Sequence, residues 1–279
     1  IRLELQTAAA DAEADPADTI EPVVETRRDA GLHPIISLID DAKWIMGRAG
    51  MEYRDLVPGR LNGRLIASHI RIAAAGVVPD YVHYHKVGFQ MIYCWHGRVR
   101  VVYEGQGEPF WLRPGDCVLQ PPEIRHRVLE AAADTQVIEL TSPAVHETWA
   151  DHDLILPTAD VDPERTFGGQ RFVDHRAADS QIVYGEFGGF ESHHMGIAAA
   201  SNNAARVFEL RTQKDHSEFA ADDSVALNTF YFVLSGRVNM AVENFDEQRF
   251  TPGDAILIPP HRSYHLTASA NSEILCVEL

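Results

Sequence analysis

The sequence has few cysteines, an excess of acidic over basic residues and no long hydrophobic run. Only Cys94, Cys117 and Cys276 occur among 279 residues. An odd, scattered set argues against a disulfide framework and favours buried free thiols in a reducing compartment. Lys and Arg number 24 against 41 Asp and Glu, so the formal net charge is −17. We expect no nucleic-acid partner, because phosphate binding needs clustered cations.

The chain also lacks any segment of transmembrane length and any signal-peptide pattern at its start. These absences predict a cytoplasmic protein without a membrane partner. Hydrophobic residues make up 45% of the chain, which is ample for a packed core. The length accommodates one large or two medium domains.

The first third of the chain predicts extended and helical segments ahead of a β domain. Residues 8–22 are small and acidic, and they predict an acidic N-terminal arm over residues 1–30. Residues 36–49 carry scattered apolar side chains that suit a short helix. From Leu61 onward, short alternating runs broken by Gly, Pro and Asp predict an all-β sandwich or barrel.

The β region contains an internal repeat. Residues 90–99 match residues 229–238, and both stretches end in Gly-Arg-Val. Further along each repeat, residues 114–122 match residues 252–260. Both segments begin with Pro-Gly-Asp and end with Pro-Pro. Pro-Gly fits the central positions of a type II turn. Two such turns, each ahead of an apolar strand, predict two similar barrels in tandem.

The first repeat carries a candidate metal site. His83 and His85 are two residues apart, so on a strand both imidazoles face the same side. Gln90 opens the next apolar run, and His126 follows a proline-rich turn. Three imidazoles and one amide oxygen on neighbouring strands would bind one divalent transition metal, with Fe, Ni, Mn, Cu and Zn all open.

These motifs resemble the two signature motifs of the cupin superfamily. The first runs from Gly76 through His83 and His85 to Gly97, and the second runs from Pro114 to His126. Gln90 stands where the family usually has Glu, and the first gap is one residue longer than usual. The resemblance implies a bicupin: two double-stranded β-helix, or jelly-roll, barrels.

The expected boundaries follow from the repeat. We assign residues 31–145 to an N-terminal cupin barrel with the metal site, residues 146–180 to a linker and residues 181–279 to a C-terminal barrel. In the second repeat Asp222, Ser224, Thr229 and Tyr264 stand at the positions of the four candidate ligands. We therefore expect metal in the first barrel alone. The protein can be a monomer or a homodimer.

Because the Gln90 amide is neutral, the net charge of the site is one unit more positive than it would be with a carboxylate at this position. This charge favours an anionic substrate. Gln90 is either a direct ligand, a donor to a ligand or a substrate contact. The amide also removes a candidate base, so Glu123, three residues before His126, becomes a weak candidate for a catalytic role.

Three functions follow from these features. The two-barrel layout resembles quercetin-type and gentisate-type dioxygenases, which implies dioxygen and a small enolic or aromatic substrate. The His and Gln set is also similar to cupin polyketide cyclases, which implies a Lewis-acid cyclase, isomerase or lyase. A binding or storage cupin is the third alternative, and the intact His83 and His85 pair argues against it.

Overall fold

The structure is a computed structural model that describes residues 33–213, 216–223 and 225–279, together with the strand Leu3–Leu5. The first half contains β1 (Leu3–Leu5), β2 (Ile35–Ser37), β3 (Ile45–Met46), β4 (Glu52–Asp55), β5 (Ile66–Ile72), β6 (Gly76–Val77), β7 (His83–His85), β8 (Phe89–His96), β9 (Val99–Tyr103), β10 (Phe110–Leu112), β11 (Cys117–Leu119), β12 (His126–Ala131), β13 (Thr135–Ser142) and β14 (Glu147–Ala150).

The second half contains β15 (Thr166–Phe167), β16 (Gln170–Arg171), β17 (Val173–His175), β18 (Gln181–Tyr184), β19 (Phe190–His194), β20 (Arg206–Thr212), β21 (His216–Ala221), β22 (Thr229–Ser235), β23 (Val238–Val242), β24 (Gln248–Phe250), β25 (Ala255–Ile258), β26 (Tyr264–Ser269) and β27 (Glu273–Glu278). Helical structure in the described residues is limited to the short turns Ile39–Asp41, Arg48–Gly50, Arg60–Gly63, Ala177–Asp179 and Ile197–Ala200.

The strands form two barrels, each made of two facing antiparallel sheets, which confirms the predicted all-β, two-barrel fold. In the first barrel, one sheet has the order β1-β14-β7-β12-β9-β10 and the other β17-β11-β8-β13-β5-β4-β3. The second barrel combines β18-β19-β20-β27-β22-β25-β2 with β21-β26-β23-β24. The predicted strands at the His83, Gln90 and His126 motifs are all present.

The segment predicted as a helix over residues 36–49 is instead two short strands and two single turns. Strand β2 pairs with β25 of the second barrel, and β3 pairs with β4. The helix prediction was wrong because the β-branched Ile35, Ile36 and Ile45 extend sheets, which tertiary pairing favours over a weak helical pattern.

Each barrel borrows an edge strand from the segment ahead of the other barrel. Strand β2 precedes the first barrel and pairs with β25 of the second, whereas β17 precedes the second and pairs with β11 of the first. The segment 146–180, interpreted as a linker from the sequence, thus contributes β14 and β17 to the first barrel's sheets. The predicted arm over residues 1–30 lies outside the described residues apart from β1, which pairs with β14.

The two Pro-Gly-Asp repeats hold these borrowed strands in place. The Asp254 carboxylate accepts hydrogen bonds of 2.7 Å from the Ile39 and Thr251 amides. In the same way, the Asp116 carboxylate accepts bonds from the amides of Ala177 at 3.0 Å and Arg113 at 2.9 Å. Each aspartate therefore closes its own turn and also fixes the chain that arrives from the other half.

A continuous apolar core joins the barrels. It contains Met91 and Leu140 from the first barrel and Phe232 and Leu275 from the second, all completely buried. Separate apolar clusters fill each barrel interior. Cys94, Cys117 and Cys276 are free and buried, as predicted, and no described helix has the length and apolar character needed to cross a membrane.

Candidate metal centre

Three histidines meet inside the first barrel. His83 and His126 are directly paired across neighbouring strands, and His85 lies two residues along on the same face as His83. The ring centroids of His83 and His126 are 4.3 Å apart, and His85 is 5.1 Å from His83 and 5.2 Å from His126. One nitrogen from each ring lies within 4.8 Å of the others, so the group could hold a metal ion.

The outer nitrogen of each ring is fixed by the surrounding chain. Nδ1 of His83 donates to the Tyr81 carbonyl at 2.8 Å, and Nδ1 of His126 donates to the Ile124 carbonyl at 2.9 Å. Nδ1 of His85 is hydrogen-bonded to Thr148 Oγ1 at 2.8 Å. The two carbonyl contacts fix the Nδ1–H tautomer of His83 and His126, so Nε2 of each ring carries the lone pair that a metal needs.

The inner side of this group fits a cation. Nε2 of His83 is buried and has no hydrogen-bond partner among the described residues. A buried acceptor without a partner is costly unless a ligand satisfies it. Since neutral imidazoles are good ligands for first-row transition metals, the donor set and its orientation fit a divalent transition metal.

Burial keeps the three rings neutral, as metal binding requires. It lowers the pKa of His83 and His85 well below the usual 6.5, and it lowers the pKa of His126 to about 4. The nearby Arg48 guanidinium lowers all three values further. Protons therefore compete weakly for the metal-facing nitrogens at neutral pH.

The Gln90 side chain contacts a carboxylate on a neighbouring strand. Its side chain is buried and forms a hydrogen bond with the Glu139 carboxylate on the adjacent strand β13. The amide nitrogen of Gln120 instead approaches Nε2 of His126, at 3.0 Å, while Gln120 Oε1 is buried without a partner among the described atoms. The Gln120 amide thus lies beside His126, and Gln90 as a direct ligand stays a prediction.

Glu139 supplies the carboxylate of this site. It lines the cavity beside the three histidines, whereas Glu123 is exposed and does not line that cavity. Burial raises the pKa of Glu139, although Arg48 and the hydrogen bonds from Gln90 and Thr141 act in the opposite direction. An acid group with a raised pKa inside a cavity is suited to holding and releasing a proton.

The cavity is small and mostly apolar. Its volume is about 60 Å³, which is enough for about two waters at roughly 30 Å³ each. Beside the three histidines, the wall includes the polar groups Arg48, Tyr53, Gln120 and Glu139 and the apolar side chains Ile70, Ile92, Val101, Tyr103 and Leu112. Among the aromatic side chains, Phe89 and Tyr93 pack in the core between the barrels, whereas Tyr103 lines the cavity.

The second barrel fills the corresponding space with its own side chains. Tyr264 stands at the position of His126, and its hydroxyl is 2.7 Å from the hydroxyl of Tyr231. Tyr264 also contacts Thr229, which corresponds to Gln90. In the described parts of the chain, the first barrel holds the one histidine group that could bind a metal.

Comparisons with known proteins agree with this architecture. A family model described as an AraC-like ligand-binding domain matches residues 75–184. The solved structure of Ylba from E. coli, assigned to DUF861, has a TM-score of 0.62 at 11% identity and covers 90% of this chain and 96% of its own.

Oxalate decarboxylase from Bacillus subtilis at pH 4.6 has a TM-score of 0.60 at 11% identity, covering 88% of this chain and 75% of its own. A point mutant of the same decarboxylase gives a TM-score of 0.61 at 12% identity, with coverage of 88% and 76%. No curated protein matches the sequence. At such low identity, these likenesses establish the fold.

Proposed function

We propose that this chain, a bicupin of the cupin superfamily, is a metal-dependent enzyme that acts on a small enolic or aromatic acid in its first barrel. The observation that carries the proposal is the buried Nε2 of His83, which has no hydrogen-bond partner among the described residues and lies with His85 and His126 in the cavity of the first barrel. The three histidines would hold one divalent transition metal. Gln90 or Gln120 would offer an amide oxygen beside it.

A bound metal would supply a Lewis acid for an enolate or carboxylate oxygen, or a redox centre that brings such a substrate together with dioxygen. The chain's own groups have separate tasks. Glu139 would take up or deliver a proton at its carboxylate, and the Gln90 amide would orient that carboxylate. The apolar wall, which includes Ile92 and Val101, would exclude water from the reacting atoms.

Two reaction classes have support from particular observations. Glu139 favours non-oxidative chemistry, such as that of an isomerase, lyase or cyclase, since this acid–base group lines the same cavity as the three histidines. The three neutral imidazoles and the apolar wall favour an oxygen-dependent dioxygenase, because a dry site suits dioxygen. The small cavity favours a compact organic acid over a polycyclic phenol under either reaction.

The first test is elemental analysis of the purified protein beside the His83→Ala/His85→Ala double variant. His265→Ala is the matched control, because His265 is exposed and lies one residue from the position that corresponds to His126. We expect a stoichiometric transition metal in the wild type and the control and none in the double variant. Equal metal content in all three proteins would contradict the proposal.

Oxygen uptake with a panel of small enolic and phenolic acids then separates the two reactions. Consumption that depends on the metal establishes a dioxygenase. Turnover of a substrate without oxygen uptake, lost in Glu139→Gln, establishes non-oxidative chemistry. A wild type that holds no metal after loading would restore the binding or storage alternative.

A further inference from the structure

Arg48 reaches the metal cavity from outside the barrel strands. It belongs to the turn Arg48–Gly50 between β3 and β4, where Ala49 has a left-handed φ of 55°. Its side chain lines the cavity together with His83, His85 and His126. The turn therefore carries a permanent positive charge to a cavity that is also lined by a second arginine, Arg127, and by imidazoles and amides.

One edge of the Arg48 guanidinium is held by a buried carboxylate. Its Nη1 donates to Asp80 Oδ1 at 3.0 Å, and the Asp80 side chain is fully buried. Asp80 also accepts hydrogen bonds of 2.9 Å from the backbone amides of Tyr81 and Val128. Asp80 thus fixes the guanidinium and shares its own charge with two amides of the chain.

The Nε of Arg48 is a donor without an acceptor. It is buried and has no hydrogen-bond partner among the described residues. Removing a guanidinium N–H from water without giving it an acceptor costs free energy, and this cost is larger for a charged donor than for a neutral one. An anionic oxygen inside the cavity would offset this cost, and the cavity has the space for it.

The charge of Arg48 also acts on the whole site. After burial, Arg48 contributes to the low pKa of His83, His85 and His126, and it opposes the raised pKa of Glu139. Arg48, the three histidines and Glu139 all line the same small cavity. An anion near the histidines is therefore also near Arg48.

We infer that Arg48 is a specificity-determining residue that binds the anionic group of the substrate, and that this group is a small carboxylate. The inference rests on the proposed function, because the same ligand would also reach the metal held by the three histidines. A carboxylate suits the site since its oxygens accept charge-assisted hydrogen bonds from a guanidinium. A neutral isostere lacks this interaction.

The experiment measures the binding of fluoroacetate and of its neutral isostere fluoroacetamide to the full chain. Binding is detected as broadening of the ¹⁹F NMR line of each ligand. Wild type, Arg48→Gln, Arg48→Lys and the control Arg98→Gln are each titrated as metal-free protein and after loading with zinc. Arg98 is a suitable control, because it stacks on Trp111, away from the cavity.

We expect fluoroacetate to bind the wild type and Arg98→Gln equally, and to bind Arg48→Gln at least about tenfold more weakly in both forms. Arg48→Lys keeps the charge but lacks the Nε donor, so its affinity for fluoroacetate should lie between those of the wild type and Arg48→Gln. This variant also provides the test if Arg48→Gln does not fold. Fluoroacetamide should bind none of the proteins measurably.

Fluoroacetate binding that is unchanged in Arg48→Gln, or absent from the wild type in both forms, would overturn the inference. Failure of the proposed function gives a different result. In that case the wild type retains no zinc, while the metal-free titrations still show whether fluoroacetate binding depends on Arg48.

Discussion

The Tyr93 hydroxyl of the first barrel donates a 2.9 Å hydrogen bond to the Glu209 carboxylate of the second. Both side chains are buried. The Glu209 carboxylate also pairs with Arg211, at 2.5 Å. A polar contact of this kind fixes the orientation of the two barrels, because the surrounding apolar core does not specify direction by itself.

Tyr93→Phe should lower the free energy of unfolding by about 1–3 kcal/mol, since one oxygen of the buried Glu209 carboxylate loses its donor while the other keeps Arg211. The measurement is chemical denaturation of the metal-free protein. In a double-mutant cycle with Glu209→Gln, the two losses should be less than additive. Additive losses would show that the contact contributes nothing.

His126→Ala should abolish metal retention and leave the protein folded, because the side chain contacts the cavity and truncation removes one of three converging nitrogens. Metal content after dialysis and the far-ultraviolet circular dichroism spectrum provide the two readouts. A folded variant that retains the wild-type metal content would exclude His126 as a ligand.

Gln90→Glu places a second carboxylate against Glu139. Like charges in contact raise the pKa of the pair, so the folded state of the metal-free variant binds an extra proton. Its stability relative to the wild type should therefore increase as the pH falls from about 8 to about 5. Thermal melts across this range test the effect, and a constant difference would show that the two side chains do not interact.

His69 should make the protein sensitive to acid. Burial lowers its pKa to about 4, whereas the unfolded chain takes up this proton near 6.5. The contribution of the neutral His69 ring to the free energy of unfolding is complete above pH 6.5. This contribution is lost as the pH falls towards 4, by about 3 kcal/mol in total. His69→Phe should flatten the pH dependence of the unfolding free energy. A pH dependence that is unchanged in His69→Phe would contradict this prediction.

The sequence predicted the fold and the three histidines because both depend on local patterns. Alternation of apolar residues marks the strands, and the spacing of His83 and His85 places both rings on one face. His126 follows from the repeated turn ahead of it. None of these inferences needs to know which strands are neighbours across the barrel.

The sequence did not reveal Arg48, Gln120 and Glu139, because their proximity to the histidines depends on tertiary pairing. A comparison of the repeats could have flagged two of them. Sheet registers place Gln120 opposite Gln90 and Ile258 opposite Thr229, so Gln120 corresponds to an apolar residue. By the same pairing, Glu139 corresponds to Cys276. Arg48 lies outside the repeat, so no internal comparison reaches it.

The exchange of β2 and β17 between the barrels gives the chain the arrangement of a domain-swapped dimer whose two copies are joined in one polypeptide. Neither half can be cut out at the repeat boundary without losing a strand and exposing a hydrogen-bonding edge on its sheet. The two barrels therefore depend on each other structurally, although three histidines meet inside one of them and two tyrosine hydroxyls meet inside the other.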